Sequence, residues 1–160
     1  MKTAIPVIFL IVIGSCSATR KVAFIKAIEP QNESSLLYVY RPAKSQNRWI
    51  KPGLAINQEE KILLENGGYT YFYLEPGRYE IGLILSNRYE EGTTIHVTLD
   101  SGGVQYIRLD TEFFMTGNQY SRTFDLVNTT SEHGPEEIMD CIYLDPAGSK
   151  SHKKSILTDN

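Results

Sequence analysis

Between residues 68 and 86 the chain alternates side chains with a period of two on both sides of a Pro76-Gly77 step. This period is typical of β-strands, whose successive side chains point to opposite faces. One face receives Thr70, Phe72 and Leu74, and the other receives Tyr69, Tyr71 and Tyr73. Proline and glycine suit the two central positions of a type II turn, the second of which needs a positive φ. We therefore expect the chain to turn there and to pass from one sheet of a sandwich to the other.

The strand after this turn predicts a structural role for its first tyrosine. Its shared apolar face consists of Tyr79, Ile81, Leu83 and Leu85. Tyr79 follows the glycine by two residues and resembles the tyrosine corner of immunoglobulin-like sandwiches. That resemblance implies a hydrogen bond from its hydroxyl group to the upstream backbone.

Similar apolar runs along the chain predict further strands. We expect them at residues 22–28, 36–41, 61–65, 93–99, 104–109 and 120–127. Residues 49–56 repeat the pattern of two strand segments joined by a Pro-Gly step, here Pro52-Gly53. Asn66-Gly67 is typical of a β-hairpin, residues 100–103 of a turn, and Glu90-Glu91 of a solvated loop. The pattern predicts an all-β fold, an antiparallel β-sandwich of about seven to nine strands.

A short helix is expected near the C-terminus. Gly134-Pro135-Glu136-Glu137 places proline and two carboxylates in a first helical turn, where both are favoured. Ile138, Cys141 and Ile142 would form its buried stripe.

The first residues predict export and a lipid anchor. Lys2 precedes an apolar stretch that is too short to span a bilayer, as in a secretory signal. The stretch ends in Ile13-Gly14-Ser15-Cys16, which resembles the lipobox of bacterial lipoproteins. The resemblance implies cleavage before Cys16 and attachment of acyl chains such as palmitate to it. The alternative is ordinary cleavage a few residues later, with Cys16 discarded or left free.

These features give the expected domain organisation. We expect a lipoprotein signal peptide at 1–15, the lipidated cysteine and a tether at 16–21, one β-sandwich domain at 22–146, and a disordered polar tail at 147–160. In Gram-negative sorting, Ser17 after the cysteine favours the outer membrane, facing the periplasm. Anchoring through Cys16 would leave Cys141 alone, so no internal disulfide is expected.

Charge and spacing argue against several functional classes. The net charge of −3 disfavours nucleic acid as a partner. His96, His133 and His152 have no metal-ligand spacing, so we expect no metal and no cofactor. His133 and Cys141 suggest a Cys-His pair only weakly, because Cys141 falls on an apolar stripe. We therefore expect no enzymatic activity, and an envelope hydrolase is the second alternative function.

Two candidate binding regions remain. Arg41, Lys44, Arg48 and Lys51 surround the single tryptophan, Trp49, in a stretch without acidic residues, which suits an anionic surface. The alternative is a solvated loop in which Trp49 covers the edge of the core. The outward tyrosines Tyr69, Tyr71 and Tyr73 suit the stacking of sugar rings, unless other elements cover them.

Three motifs together resemble a family of prokaryotic lipoproteins defined only as a domain of unknown function. They are Tyr38-Val39-Tyr40-Arg41-Pro42, the aromatic strand from Gly68, and Pro76-Gly77-Arg78-Tyr79. The likeness spans residues 36–109, and its corner is also similar to transthyretin-like sandwiches. It implies a β-sandwich and a lipoprotein, but no catalytic residue.

The sequence thus favours a non-enzymatic, lipid-anchored envelope protein that acts as an accessory or binding module. Its expected partners are the membrane, through the anchor, and an envelope protein or glycan. A carbohydrate-binding module that uses the tyrosine face is the first alternative.

Overall fold

The computed structural model describes Phe24 and residues 26–30, 33–85 and 90–146. In chain order its elements are β1 (Ser35–Arg41), β2 (Gly53–Ile56), β3 (Glu59–Leu63), β4 (Gly68–Leu74), β5 (Gly77–Ile84), β6 (Glu90–Gly92), β7 (Ile95–Leu99), β8 (Val104–Thr116), β9 (Gln119–Thr129), α1 (His133–Ile138) and β10 (Ile142–Tyr143). The predicted all-β, sandwich-like class with a short C-terminal helix is confirmed. The described residues contain ten strands rather than seven to nine, because β6 and β10 add two very short ones.

The strands form two sheets. The six-stranded sheet has the order β10-β4-β1-β8-β9-β6, and the four-stranded sheet has the order β3-β2-β5-β7. The smaller sheet is antiparallel throughout, as expected. The larger sheet is mixed, because β1 pairs in parallel with β8, β4 with β10, and β9 with β6.

The corner at Pro76-Gly77 carries the chain from β4 in the larger sheet to β5 in the smaller one, as predicted. The type II turn is wrong, since Gly77 is not among the glycines with positive φ. The tyrosine corner is confirmed: the Tyr79 hydroxyl donates to the Glu75 carbonyl oxygen at 2.8 Å.

The Asn66-Gly67 step is not a hairpin. Its flanking strands, β3 and β4, lie in different sheets. Gly67 has φ +72°, and the Gly68 amide donates to the Glu65 carbonyl at 3.1 Å. The residue types thus marked a tight turn correctly, but this turn is another of the connections between the two sheets.

An aliphatic core fills the space between the sheets. Its buried members are Leu37, Val39, Leu54, Ile56, Ile62, Leu64, Ile81, Val97, Leu99, Ile107, Leu109, Phe124 and Leu126, with Phe72, Leu74, Tyr79, Leu83 and Leu85 packed against them. The predicted apolar faces of the strands around Pro76-Gly77 are therefore confirmed, and Ile95, Val97 and Leu99 of β7 also face this core. Alternation worked here because each strand buries one face against the opposite sheet.

A second core covers the outer face of the six-stranded sheet. It contains Ala27, Leu36, Tyr38, Tyr40, Tyr69, Tyr106, Ile138 and Cys141, with Phe24, Tyr71, Val104 and Tyr143 against it. Phe24, Ala27 and helix α1 cover this face, and Tyr143 of the edge strand β10 packs its side chain on the same face. The larger sheet is therefore buried on both faces over β1, and every residue of that strand is buried.

Four expectations about element bounds are wrong. Residues 49–52 form no strand, and β2 begins only at Gly53. Phe24 and residues 26–28 form no strand. Glu90-Glu91 is not a loop but part of β6, paired with β9. Helix α1 ends at Ile138, so Cys141 is buried from outside the helix, and Ile142 is 37% exposed in β10.

The predicted signal peptide, Cys16, the tether and the tail lie outside the described residues, so these domain bounds stay predictions. Within the described ranges, no helix is long and apolar enough to cross a membrane.

Candidate functional site

The β8-β9 hairpin projects beyond the rest of its sheet. Pairing of β8 with β1 ends at Arg108, but β8 continues to Thr116 and pairs with β9 to the turn. Residues 112–121 are exposed on both faces of this two-stranded ribbon. We call residues 112–121 the arm. The end of the sandwich from which it projects, where β1 ends and β4 begins, is the arm end.

One face of the arm is apolar and aromatic. Phe113, Met115 and Tyr120 lie on it and are 37%, 70% and 43% exposed. At the base of the arm, the Arg122 guanidinium lies 4.8 Å from the ring centroid of Tyr120 and 5.8 Å from that of Phe113. By strand parity this face continues the inner face of the sheet, whose Leu109 and Phe124 are buried. It is exposed because the opposite sheet, with strands of four to eight residues, ends before it.

The loop that carries Trp49 closes the same end of the sandwich. The buried Arg41 guanidinium donates to the carbonyl oxygens of Ile50 at 2.6 Å, Asn47 at 2.8 Å and Leu64 at 3.3 Å. The side-chain amide of Asn47 in turn donates to the backbone carbonyl of Glu112, at the base of the arm, at 3.1 Å. The backbone of this loop is therefore held next to the base of the arm.

The cations of this loop do not form one positive patch. Arg41 is 1% exposed and holds the loop from within. Lys44 pairs with Asp110 at 3.4 Å, and Lys51 pairs with Glu65 at 2.5 Å. Arg48 packs its guanidinium 4.4 Å from the Trp49 ring centroid.

Trp49 is 80% exposed, so it does not cover the edge of the core. The predicted loop therefore presents an indole and a stacked arginine rather than a cationic surface.

Exposed apolar side chains are concentrated at the arm end. It holds nine of the eleven large ones that the described residues contain: Trp49, Leu63, Ile84, Phe113, Phe114, Met115, Tyr120, Met139 and Ile142. Leu63 and Ile84 belong to this end because both pair with Gly53, directly after the Trp49 loop. Ile142 pairs with Gly68, the first residue of β4. The opposite end has the other two, Ile28 and Tyr73.

The tyrosine face of β4 is largely covered. Tyr69 is 1% exposed and contacts Phe24 and Tyr143. Tyr71 is half-buried between other rings, and Tyr73 is 47% exposed, with its hydroxyl group donating to the Ile28 carbonyl at 2.7 Å. The three side chains point away from the main core as predicted, but they form no open stacking platform.

A polar network, which the sequence did not reveal, joins the outer face of the sheet to helix α1. The Tyr40 hydroxyl donates to Glu137 at 2.7 Å, and Arg108 donates to both Glu137 oxygens at 2.8 and 3.0 Å. Arg108 also binds Asp110 at 2.9 Å. Burial raises the pKa of Tyr40. Burial opposes ionisation of Glu137 too, but the hydrogen bonds from Tyr40 and Arg108 together hold its pKa below the ordinary value.

An open cleft of about 630 Å³ lies over this network. Cys141 lines it but is 3% exposed, and burial raises the pKa of its thiol to about 11. The thiol is therefore protonated near neutral pH and is a poor nucleophile. Among the described residues, no group of three or more His, Cys, Asp or Glu side chains is placed to hold a metal ion.

The arm was missed because its signal is weak in the sequence. Phe113-Phe114-Met115 is an apolar run without a clear period, which a buried strand would also show. One sign was available. Tyr120, Phe124 and Leu126 share one face of a strand, so this apolar face is longer than those of the other strands. The Tyr40–Glu137 contact joins residues 97 positions apart and has no sequence signal.

The model of one protein family matches residues 31–120, more than half of the chain. Its description is protein of unknown function (DUF2846). The match includes β1 to β8 and nearly all of the arm, whereas α1 and β10 follow it. It agrees with the resemblance to a domain of unknown function that residues 36–109 suggest. The search of curated proteins found no match.

Proposed function

The chain belongs to the family of proteins of unknown function DUF2846, and from this premise we propose that it is a non-enzymatic, lipid-anchored envelope protein whose arm end is its binding surface. The anchor in this proposal is Cys16, and in a Gram-negative host the domain would face the periplasm from the outer membrane. The carrying observation is the concentration of nine exposed apolar side chains at the arm end. Exposed apolar side chains that are concentrated in one region of a domain mark a candidate interaction surface.

The contacts favour this function over the two alternatives. Carbohydrate binding through β4 needs free aromatic faces, and Tyr69 and Tyr71 already pack against other rings. A cysteine hydrolase needs an accessible thiolate, and Cys141 is buried with a raised pKa. The arm end requires no rearrangement to make contact, because Trp49 and Met115 are already exposed.

Anchoring is tested by growing the host with a labelled fatty acid. The chain has two cysteines, so Cys16→Ser and Cys141→Ser form a matched pair. We expect Cys16→Ser to abolish both the incorporation of label and the cleavage of the signal peptide. Cys141→Ser should leave both unchanged. Label that survives Cys16→Ser would refute lipidation at this residue.

The binding surface is tested separately with a photoreactive residue in place of Trp49 or of Ile28, which are 80% and 83% exposed at opposite ends. We expect crosslinks in native envelopes from position 49 and far fewer from position 28. Equal crosslinking from the two positions would refute a special role of the arm end.

A further inference from the structure

We propose that the arm end docks in the lipid–water interface of the membrane that carries the anchor, with Trp49 and the arm among the lipid headgroups. The inference rests on the proposed function, and it names the bilayer itself as the partner of the arm end. Three observations support it: the direction of the chain at Phe24, the length of the arm, and the chemistry of the exposed side chains.

The first observation concerns where the upstream chain joins the domain. Phe24 contacts the ring of Tyr69, which pairs with Tyr40 near the end of β1. Further along, the Ile28 carbonyl accepts a hydrogen bond from Tyr73, near the other end of β4. The segment therefore runs from the arm end towards the opposite end, and the chain that leads back to Cys16 is attached on the side of the arm.

The second observation concerns distance. Phe24 follows Cys16 by eight residue steps, so the connection reaches at most about 29 Å from Phe24. From Arg108, which pairs with Tyr40 at the same level of the sheet, β8 rises through eight residues, or about 26 Å, to Thr116. Because the two lengths match, an anchor in the bilayer keeps the tip of the arm within reach of its surface.

The third observation is the type of exposed side chain. Tryptophan and tyrosine are favoured at the membrane interface, where an apolar ring and a polar group are both solvated. The arm end offers Trp49 and Tyr120 for that layer, with Phe114 and Met115 nearest the tip. Arginines stacked on aromatic rings, Arg48 on Trp49 and Arg122 on Tyr120, suit the same layer.

The ion pairs near Trp49 indicate which lipids are sufficient for docking. Lys44 and Lys51 are paired with Asp110 and Glu65, so few charges remain to attract an anionic surface. Docking should then depend on apolar and aromatic burial. It should occur on zwitterionic vesicles and change little with salt, unlike binding by a polybasic patch.

Trp49 is the only tryptophan of the chain and therefore reports on its own environment. The full chain, purified with its anchor, is reconstituted into phosphatidylcholine vesicles with or without bromine on the acyl chains. Vesicle flotation measures anchoring, and bromine quenching of Trp49 emission measures docking. We expect emission shifted to shorter wavelength and clear quenching, at both low and high salt.

The matched variants are Phe114→Ser with Met115→Ser at the arm end, and Ile28→Ser at the opposite end. Each arm substitution removes an apolar side chain from the interface and should weaken docking by about tenfold. We expect the double variant to float like the unaltered chain but to lose most of the quenching. Ile28→Ser should change neither readout. Near-ultraviolet circular dichroism checks that all variants are folded.

The possible results separate the two proposals. A chain that floats without quenching of Trp49 overturns membrane docking and leaves the anchor intact; an envelope protein would then be the partner of the arm end. Quenching that persists in the arm variant also overturns docking by the arm. A chain that does not float refutes the anchor. In that case, quenching of Trp49 by added vesicles tests docking without the anchor, and the absence of quenching overturns docking.

Discussion

Strands β8 and β9 pass through two environments along one ribbon. In the sandwich their inward side chains, including Leu109 and Phe124, are buried against the other sheet. In the arm, Phe113 and Tyr120 continue the same face and are 37% and 43% exposed. The local pattern of side chains is the same in both halves, so the presence of a covering sheet decides their role. Covered positions stabilise the fold, and uncovered positions stay exposed at the surface.

The largest expected difference is between two aromatic residues on this one face of β9. Phe124→Ala should lower the free energy of unfolding by about 3–5 kcal/mol, because it removes a fully buried ring and leaves a cavity. Tyr120→Ala, four residues away, should change it by less than about 0.5 kcal/mol. Urea unfolding of both variants measures the difference. Similar losses at the two positions would show that the arm is part of the cooperative core.

The second core should respond next most strongly. Tyr40→Phe leaves the ring in place but removes the hydrogen bond to the Glu137 carboxylate. Bonds to charged groups contribute about 1.5–3 kcal/mol, so a loss of that size is expected in urea unfolding. Tyr73→Phe removes a hydrogen bond made by an exposed tyrosine on the same face of the sheet and should cost less. Equal costs would contradict a special role of the polar network.

The network also predicts a dependence of stability on pH. The pKa of Glu137 is lowered from its ordinary value of 4.5, so the folded state binds this proton more weakly than the unfolded state. The ionised Glu137 therefore stabilises the fold above about pH 4.5, and this stabilisation is lost as the pH falls through the lower pKa of the folded state. We expect part of the loss of stability below about pH 4.5 to disappear in Glu137→Gln.

Glu136→Gln is the control for this pH profile, since it removes the same charge from an exposed neighbour. Unfolding midpoints across the pH range, measured for both variants, give the comparison. An unchanged acid limb in Glu137→Gln would refute the contribution of the network.

A smaller effect is expected at the corner. Tyr79→Phe removes the bond to the Glu75 carbonyl, at a cost of about 0.5–1.5 kcal/mol. The ring itself stays packed against the core, so the loss should not approach that of Phe124→Ala. A neutral result would show that water replaces the hydroxyl contact.

The sequence predicted what the local pattern of side chains determines, and it located the turns without giving their type or, at Asn66-Gly67, their connection. The alternation around Pro76-Gly77 identified the core face and the tyrosine corner correctly. The Asn66-Gly67 turn was located but assigned to a hairpin, because residue types define a turn and do not show which sheet each strand joins. The parallel neighbour β8 of β1 depends on the whole topology, and no local pattern predicts it.

The candidate site was predicted only in part for the same reason. Trp49 was identified by its type and surroundings, but the burial of Arg41 and the pairing of Lys51 with Glu65 are tertiary contacts. Exposure of the arm depends on where the opposite sheet ends. Alternation states which residues share a face, but not whether anything covers that face.

The arm itself should contribute least to the free energy of unfolding, and it should show the clearest difference in amide hydrogen exchange. A two-stranded ribbon without a covering layer is only marginally stable in water, so amides of residues 112–121 should exchange hydrogen much faster than those of Val39 or Leu126 in the covered strands. Adding vesicles should slow exchange in the arm and leave the covered strands unchanged. The opposite end, at Ile28, provides the internal control. Arm amides that are already protected without lipid would show that the ribbon is stable by itself. The two halves of β8 and β9 would then differ in burial but not in local stability.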